Sequence, residues 1–312
     1  MNYNLKNSSS LLRLPKEVLF CKECVISNQR PSSVVEFKNT GKEKKPTIFF
    51  NENGICSACE YKEIKNTKID WKERERELET LCDRYRSRNG SYDVVVPGSG
   101  GKDSIFVSHK LKYVYNMNPL TVTWSPHSYT EVGWKNFQSW INGGFDNFLH
   151  TPNGQVHKLL TKIAFINLCH PFQPFILGQR MTGPRFAALN RIPLVIYGEH
   201  AAEYGDRLEE AFNPIMKKKY YAFETSLDNL IISGLPARQI IKDFKIRASD
   251  MNPYLPISHK IIEKLNVQVH HLSYYINWDP QENYYYAVDK AGYQGNSERT
   301  QGTYSKYSSI DD

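Results

Sequence analysis

A glycine-rich turn between a buried strand and a helix is the feature that most constrains how this chain folds. Residues 92–96 form a short apolar run rich in valine, and Pro-Gly-Ser-Gly-Gly-Lys-Asp-Ser follows at residues 97–104. Apolar residues at helical spacing then continue through residues 104–115. A buried strand that turns directly into a helix is the repeating unit of parallel sheets, so this segment predicts an α/β fold.

The chemistry of this turn suits a polyphosphate. Its three glycines allow backbone N–H groups to approach an anion without a Cβ in the way. The helix that follows directs the positive end of its dipole to the same place. Charge and further donors come from the side chains of Lys102, Ser99 and Ser104.

Three common glycine-rich motifs do not fit this turn. The Walker A motif requires glycine where the chain has Val96, and Ser or Thr where it has Asp103. The dinucleotide fingerprint also fails at Asp103, and the nucleophile elbow fails at Pro97. What remains, Ser-Gly-Gly-Lys-Asp-Ser, resembles the PP-loop of the ATP pyrophosphatases. These enzymes bind ATP across a parallel sheet and cleave it between the α and β phosphates.

Strand and helix patterns continue on both sides of this unit. The predicted elements are strands at residues 120–124, 145–149 and 192–197, and helices at residues 130–141 and 156–168. Another helix is predicted to follow Asp70, which suits its N-cap. The alternation predicts a Rossmann-like parallel sheet of the PP-loop type. We expect a subdomain at residues 1–66 and a PP-loop domain at residues 67–312, with a helical C-terminal part from about residue 200.

Four of the six cysteines form two CxxC pairs near the start of the chain. One CxxC turn can give two thiolates to a metal, and a second pair completes a tetrahedron. The segment between the pairs has too few apolar residues to fold by burial alone, which favours a metal. We therefore predict a zinc-ribbon-like subdomain with structural Zn²⁺, an iron–sulfur cluster being the alternative. The predicted ligands are Cys21, Cys24, Cys56 and Cys59.

Composition excludes several classes of protein. Twenty Tyr, fifteen Phe and five Trp are too many for a disordered chain. The longest apolar-leaning stretch free of Asp, Glu, Lys and Arg, 163–179, contains two prolines and several polar residues, so no membrane span is expected. No signal-peptide core is evident near the N-terminus, which predicts a cytoplasmic protein with reduced thiols. The formal net charge of +7 suits a phosphate-bearing ligand.

The cysteine pairs and the loop, in this order, resemble the N-acetyl sugar amidotransferases, a branch of the PP-loop superfamily. The resemblance covers most of the chain. It includes Gly-Gly-Phe-Asp-Asn at residues 143–147, Pro-Phe-Gln-Pro-Phe at 171–175, Tyr-Gly-Glu at 197–199, Ala-Glu-Tyr-Gly at 202–205 and the segment 298–305.

This resemblance implies an ATP-dependent, AMP-forming ligase that converts a sugar acetamido group into an acetamidino group. The sugar would be nucleotide-linked or free, and the pathway would make bacterial lipopolysaccharide O-antigen or flagellin glycans. AMP would first be transferred to the amide oxygen, and ammonia would then displace it. The chain has no recognisable glutaminase, so a separate glutaminase subunit is expected to supply the ammonia. No membrane or nucleic-acid partner is expected.

The resemblance also assigns roles to residues. ATP would be held by Ser99, Gly100, Gly101, Lys102, Asp103 and Ser104, with Thr123 near the adenine and Mg²⁺ beside Asp103. The residues expected to act in catalysis are Lys102, Asp103 and Glu199. The residues expected to contact the substrate are Glu203, Arg299 and Thr303.

Two other functions fit parts of the sequence. The first is a PP-loop tRNA-modifying enzyme of the thiolase type, which also combines cysteine pairs with this loop. Such enzymes usually need further reactive cysteines near ATP, and here only Cys82 and Cys169 remain. Tight, salt-sensitive tRNA binding would favour this alternative. The second is a zinc-ribbon binding module without enzymatic activity.

Overall fold

The computed structural model describes residues 14–32, 35–42, 46–206, 208–300 and 303–308. A central sheet of five parallel strands and a separate two-stranded hairpin make up its β structure. In chain order the strands are β1 (Val94–Pro97), β2 (Pro119–Trp124), β3 (Asn147–His150), β4 (Leu194–Tyr197), β5 (Ile231–Ile232), β6 (Leu235–Pro236) and β7 (Gln268–His271). The central sheet has the order β3-β2-β1-β4-β7, and β5 pairs with β6.

Strand β1 lies in the middle of the sheet and is paired on both edges. Val95 is opposite Leu120 of β2 on one edge and Val195 of β4 on the other. Its side chains alternate between two apolar cores: Val95 packs in one core, and Val94 and Val96 pack in the other. Burial on both faces explains the unbroken run of valines and confirms the predicted parallel α/β fold.

Ten helices surround the sheet in the described part of the chain. They are α1 (Ser57–Thr67), α2 (Trp71–Tyr85), α3 (Lys102–His109), α4 (Glu131–Asn142), α5 (Gly154–Leu168), α6 (Gln173–Asn190), α7 (Ala237–Phe244), α8 (His259–Lys264), α9 (Leu272–Tyr275) and α10 (Pro280–Ala291). The N-cap prediction for α2 is confirmed, because Asp70 accepts hydrogen bonds from the backbone N–H groups of Lys72 and Glu73. None of the described helices combines the length and apolar character that a bilayer span needs.

Helix α6 was not predicted from the sequence. It contains Pro184, Gly178 and Gly183, residues that usually interrupt helices. The two glycines instead allow close packing, because a Cβ at Gly178 would overlap the indole of Trp124 and one at Gly183 would overlap Pro97. Helix α6 therefore lies directly against the carboxyl ends of β1 and β2, where the glycine-rich turn begins.

Strand β7 was also missed. Its sequence, Gln-Val-His-His, has a single aliphatic residue and so lacks the apolar pattern of a buried strand. The fold compensates for this weak pattern. His270 Nδ1 shares a 2.8 Å hydrogen bond with the Tyr275 hydroxyl, and Val269 lies opposite Val195 of β4. The segment from residue 200 onward is thus not only helical, since it adds an edge strand to the sheet.

The predicted division at residues 66 and 67 falls at the end of helix α1. The division of the chain into a subdomain at residues 1–66 and a domain at residues 67–312 stays a prediction.

Replacing Gly178 with alanine tests the packing of α6. The added Cβ would force the Trp124 ring out of place, and overpacking of this kind costs about 1–3 kcal/mol. The matched control is Gly154→Ala, where the new Cβ meets nothing within 4 Å. The control should change the free energy of unfolding by less than about 0.5 kcal/mol. Denaturant unfolding measures both, and equal stabilities for the two variants would contradict this packing.

Candidate nucleotide and metal sites

The glycine-rich turn lies at the carboxyl edge of the parallel sheet, between β1 and α3. Gly101 is the N-cap of α3, and no side chain caps the helix there. The first-turn N–H groups of this helix are therefore available to an anion. Gly100 has φ +91, and a Cβ on it would lie 2.7 Å from the Phe137 Cα, so the turn requires glycine there.

A cavity of about 690 Å³ opens above this turn. From β1 the chain order runs to β2 and β3 on one side and to β4 and β7 on the other. Ligands bind at such a switch point in open parallel sheets, outside the carboxyl ends of the strands. The cavity wall draws on these elements through Ser99, Gly101, Lys102, Asp103, Ser104, Val122, Trp124, Phe175, Gln179, Arg180, Glu199, Tyr204, His271 and Tyr307, among others.

Lys102 and Asp103 form an ion pair at the start of α3. Lys102 is only 9% exposed, and its Nζ lies 5.5 Å from the centre of the Tyr307 ring. Asp103 also accepts a 3.0 Å hydrogen bond from the Asn283 side-chain amide of α10. The sequence did not indicate Asn283 and Tyr307, because both lie far from the loop along the chain and neither belongs to a recognisable motif.

Glu199 faces the loop from the end of β4. Its carboxylate accepts a 3.1 Å hydrogen bond from the Tyr204 hydroxyl. Burial raises the pKa of Glu199, and the negative charge of Asp103 raises it further. The two carboxylates therefore share one electrostatic environment, and a divalent cation bound there would relieve their repulsion.

The other predicted residues occupy different surroundings. Thr123 is fully buried, and its Oγ1 accepts a 3.0 Å hydrogen bond from the Asn147 side-chain amide, while its neighbour Trp124 lines the cavity. Glu203 is paired with Lys65 at 2.8 Å. Arg299 is exposed on the surface, and the Thr303 hydroxyl bonds within its own turn to the Thr300 carbonyl at 3.0 Å. Glu203, Arg299 and Thr303 are not part of the cavity wall.

The four predicted cysteine ligands come together. The ligand atoms of Cys21, Cys24, Cys56 and Cys59 all lie within 4.8 Å of one another, and Cys24 Sγ is 3.7 Å from Cys56 Sγ. In a tetrahedron with Zn–S bonds of about 2.3 Å, the sulfurs are about 3.8 Å apart. The arrangement thus fits a bound metal ion. Among the described residues, these four cysteines are the only group of three or more potential ligands close enough to share an ion.

The environment of the thiols also suits a metal. Burial opposes ionisation of Cys21, but backbone N–H groups of Cys56 and Glu23 donate to its Sγ and lower its pKa to about 6. Burial raises the pKa of Cys56 and of Cys59, and hydrogen bonds with neighbouring thiols raise the pKa of Cys59 further. A cation supplies the positive charge that lets such thiols ionise together.

Comparisons with known proteins give structural matches but no match by sequence. No protein-family model matches the chain, and no curated protein matches it. Among solved structures the chain is similar to the U34-tRNA thiolase NcsA from Methanococcus maripaludis, determined with its 4Fe-4S cluster. The two are 12% identical, the match covers 91% of this chain and 76% of that chain, and the TM-score is 0.34.

These comparisons contradict the expectation of a sugar amidotransferase. The matched structure is described as a tRNA thiolase, which belongs to the class given above as the alternative. The parallel sheet and the glycine-rich turn before a helix are as predicted, but short phrases shared along a sequence do not define the acceptor.

Loss of one cysteine ligand should release the metal. In Cys59→Ser, the metal content after equilibration with a competing chelator should fall at least about tenfold, because a hydroxyl is a poor replacement for a thiolate. Cys169→Ser is the matched control, since Cys169 is an exposed cysteine outside the cluster. Metal analysis of the purified proteins measures the ratio. Equal metal content in the two variants would rule out this ligand set.

Glu199→Gln should change how stability depends on pH. Because the folded pKa of Glu199 is raised above 4.5, ionising it costs stability as the pH rises from that value. The variant should match the wild type below about pH 4.5 and become the more stable protein toward neutral pH. Unfolding midpoints across this range measure the difference, with the exposed Glu52→Gln as control. A variant that is less stable at neutral pH would contradict the assignment.

Proposed function

We propose that this chain is an ATP-dependent, AMP-forming enzyme of the PP-loop type. The observation that carries the proposal is the uncapped N-terminus of α3 at the centre of the parallel sheet, opening into a cavity of about 690 Å³. This volume is within the range of about 300–1,000 Å³ that small-molecule sites occupy. The described part of the chain also places a buried lysine, a carboxylate and two hydroxyls at the same point.

The loop is suited to hold the β and γ phosphates of ATP. Backbone N–H groups and the charge of Lys102 would stabilise the negative charge that develops on the departing pyrophosphate. The carboxylates of Asp103 and Glu199 are hard oxygen ligands for the Mg²⁺ that accompanies ATP. On the β2 side, Trp124 lines the cavity, and its indole ring would lie beside the base.

The reaction would adenylate an oxygen of the acceptor. That oxygen attacks the α phosphorus, the bond from this phosphorus to the oxygen bridging it to the β phosphorus breaks, and pyrophosphate leaves. A nucleophile then displaces AMP from the activated carbon. The protein would contribute mainly by positioning the reactants and by stabilising charge.

For the acceptor, we propose a carbonyl oxygen on a tRNA base. Such an oxygen is a poor leaving group until it is adenylated, and the formal charge of +7 favours a polyanionic partner. The cavity wall contains no cysteine among the described residues, and Cys82 is buried in the core beside β1 while Cys169 is exposed elsewhere. The displacing nucleophile would therefore come from another molecule, either a sulfur carrier or an amine donor.

For the metal, we propose a single Zn²⁺ at the four cysteines. Sulfurs within 4.8 Å of one another are close enough for one ion, whereas a cluster separates its cysteine ligands by several metal and sulfide atoms. Metal analysis together with absorption in the visible range distinguishes the two. One zinc per chain without visible absorption supports the proposal, and iron with acid-labile sulfide overturns it.

Replacing Lys102 with alanine tests the ATP reaction. With ATP, Mg²⁺, unmodified tRNA and a sulfide or ammonium donor to displace AMP, the wild type should release AMP and pyrophosphate in equal amounts. Lys102→Ala should lower this rate by at least about 100-fold, the typical loss when one preorganised donor is removed. The matched control Lys72→Ala, at an exposed position on α2, should keep the wild-type rate.

Two results would overturn parts of this proposal. Release of ADP and phosphate in place of AMP and pyrophosphate would exclude the adenylation step. Release of AMP without any change in tRNA, and without stimulation by tRNA over DNA of the same length, would exclude the tRNA acceptor while keeping the adenylating reaction.

A further inference from the structure

One face of helix α1 joins the cysteine cluster to the wall of the cavity. Ser57, Tyr61 and Lys65 are spaced four residues apart and therefore lie on the same face of the helix. Each of them contacts the segment 200–205, which follows β4. Cys56 is the N-cap of this helix and Cys59 lies in its first turn, so two metal ligands fix the end from which the face begins.

The first contact lies beside the cysteines. Ser57 is buried, and its hydroxyl donates a 2.5 Å hydrogen bond to the Gly205 carbonyl. Gly205 has φ +74, and a Cβ there would lie 2.6 Å from the Ala58 backbone nitrogen. Only glycine permits both this conformation and this approach, so the helix and the segment meet without a gap.

The next two contacts run along the helix. The Tyr61 hydroxyl shares a hydrogen bond with His200 Nε2 at 3.3 Å, and both residues are 1% exposed. Lys65 Nζ is 2.8 Å from Glu203 Oε2 and also donates to the Trp278 carbonyl at 2.6 Å. The Lys65 and Glu203 side chains are 12% and 9% exposed. An ion pair that is this well buried is costly to break by removing one partner.

The same segment faces the nucleotide site. Glu199, His200, Ala201 and Tyr204 all line the cavity. Tyr204 is also held from the cysteine region, because the Arg30 guanidinium donates to its carbonyl at 2.8 Å. The cysteine cluster and the cavity are therefore joined through helix α1 and its polar contacts with residues 200–205.

We propose that Ser57, Tyr61 and Lys65 are positioning residues, through which a metal at the cysteines holds the 199–205 wall of the cavity in place. Loss of the metal frees the start of α1 and so loosens this wall. Removal of the metal by a chelator then weakens the nucleotide site, although no residue of the glycine-rich turn changes. The coupling depends on the proposed function only in that the cavity is taken to bind ATP.

Hydrogen–deuterium exchange of the full-length protein tests this coupling, with and without the metal and in the absence of nucleotide. Several amides of the segment are hydrogen-bonded, including Glu203 N–H to the His200 carbonyl and Gly205 N–H to the Ala202 carbonyl. Removing the metal should raise their exchange at least about tenfold, while the amides of β1 keep their protection.

The variant Lys65→Met separates the coupling from metal binding. This variant should retain the metal, yet its residues 200–206 should exchange faster than those of the wild type. Removing the metal from the variant should then increase exchange in these residues by less than it does in the wild type. Lys62→Met is the matched control, because Lys62 is exposed on the same helix, and it should behave as the wild type. A residue that only stabilised the fold would shift the unfolding midpoint without changing this dependence on the metal.

Unchanged protection of residues 200–206 after metal removal would overturn the proposal, as would a wild-type exchange pattern in metal-bound Lys65→Met. If the wild type unfolds when the metal is removed, the exchange pattern of metal-bound Lys65→Met alone tests the proposal. Because no nucleotide is used, the coupling can fail while the ATP reaction stands, and the ATP reaction can fail while the coupling stands.

Discussion

The burial of β1 on both faces and both edges is the constraint on which the rest of the structure depends. Its valines reach into two separate cores, and its neighbours β2 and β4 pair with it on either side. The chain that leaves its carboxyl end has little freedom, because Gly100 is pressed against Phe137 and α6 packs closely beneath. The phosphate loop is thus held by a rigid base, which is the usual requirement for preorganised donors.

The charged groups around this loop are balanced by residues from distant parts of the chain. Lys102 and Asp103 are adjacent in sequence and neutralise each other, Asn283 holds Asp103 from α10, and Glu199 approaches from β4. In a partly buried site such charges interact more strongly than they would in water. The raised pKa of Glu199 is a consequence of this closeness, and it indicates where a cation has most to contribute.

The cysteine region packs against the segment that forms one wall of the cavity. Its helix α1 contacts the segment after β4 through residues on one face, and these contacts are buried. This arrangement gives a metal far from the reacting atoms a physical means of influencing them.

The sequence by itself determined the parallel strand–helix pattern around β1, the glycine-rich turn and the pairing of the four clustered cysteines, and only the tertiary structure decided what surrounds them. The valine run, the Ser-Gly-Gly-Lys-Asp-Ser turn and the two CxxC pairs are local patterns whose geometry follows from neighbouring residues. Helix α6 and strand β7 were not predicted. Proline and glycine lower the helix propensity of α6, and the two histidines weaken the apolar pattern of β7, but tertiary packing outweighs these local preferences.

Asn283 and Tyr307 reach the loop only through the fold, and Thr123 is buried beside Asn147 and is not part of the cavity wall. The acceptor was assigned wrongly from sequence because a phosphate loop specifies the chemistry of ATP, whereas the acceptor is chosen by side chains that separate elements bring together.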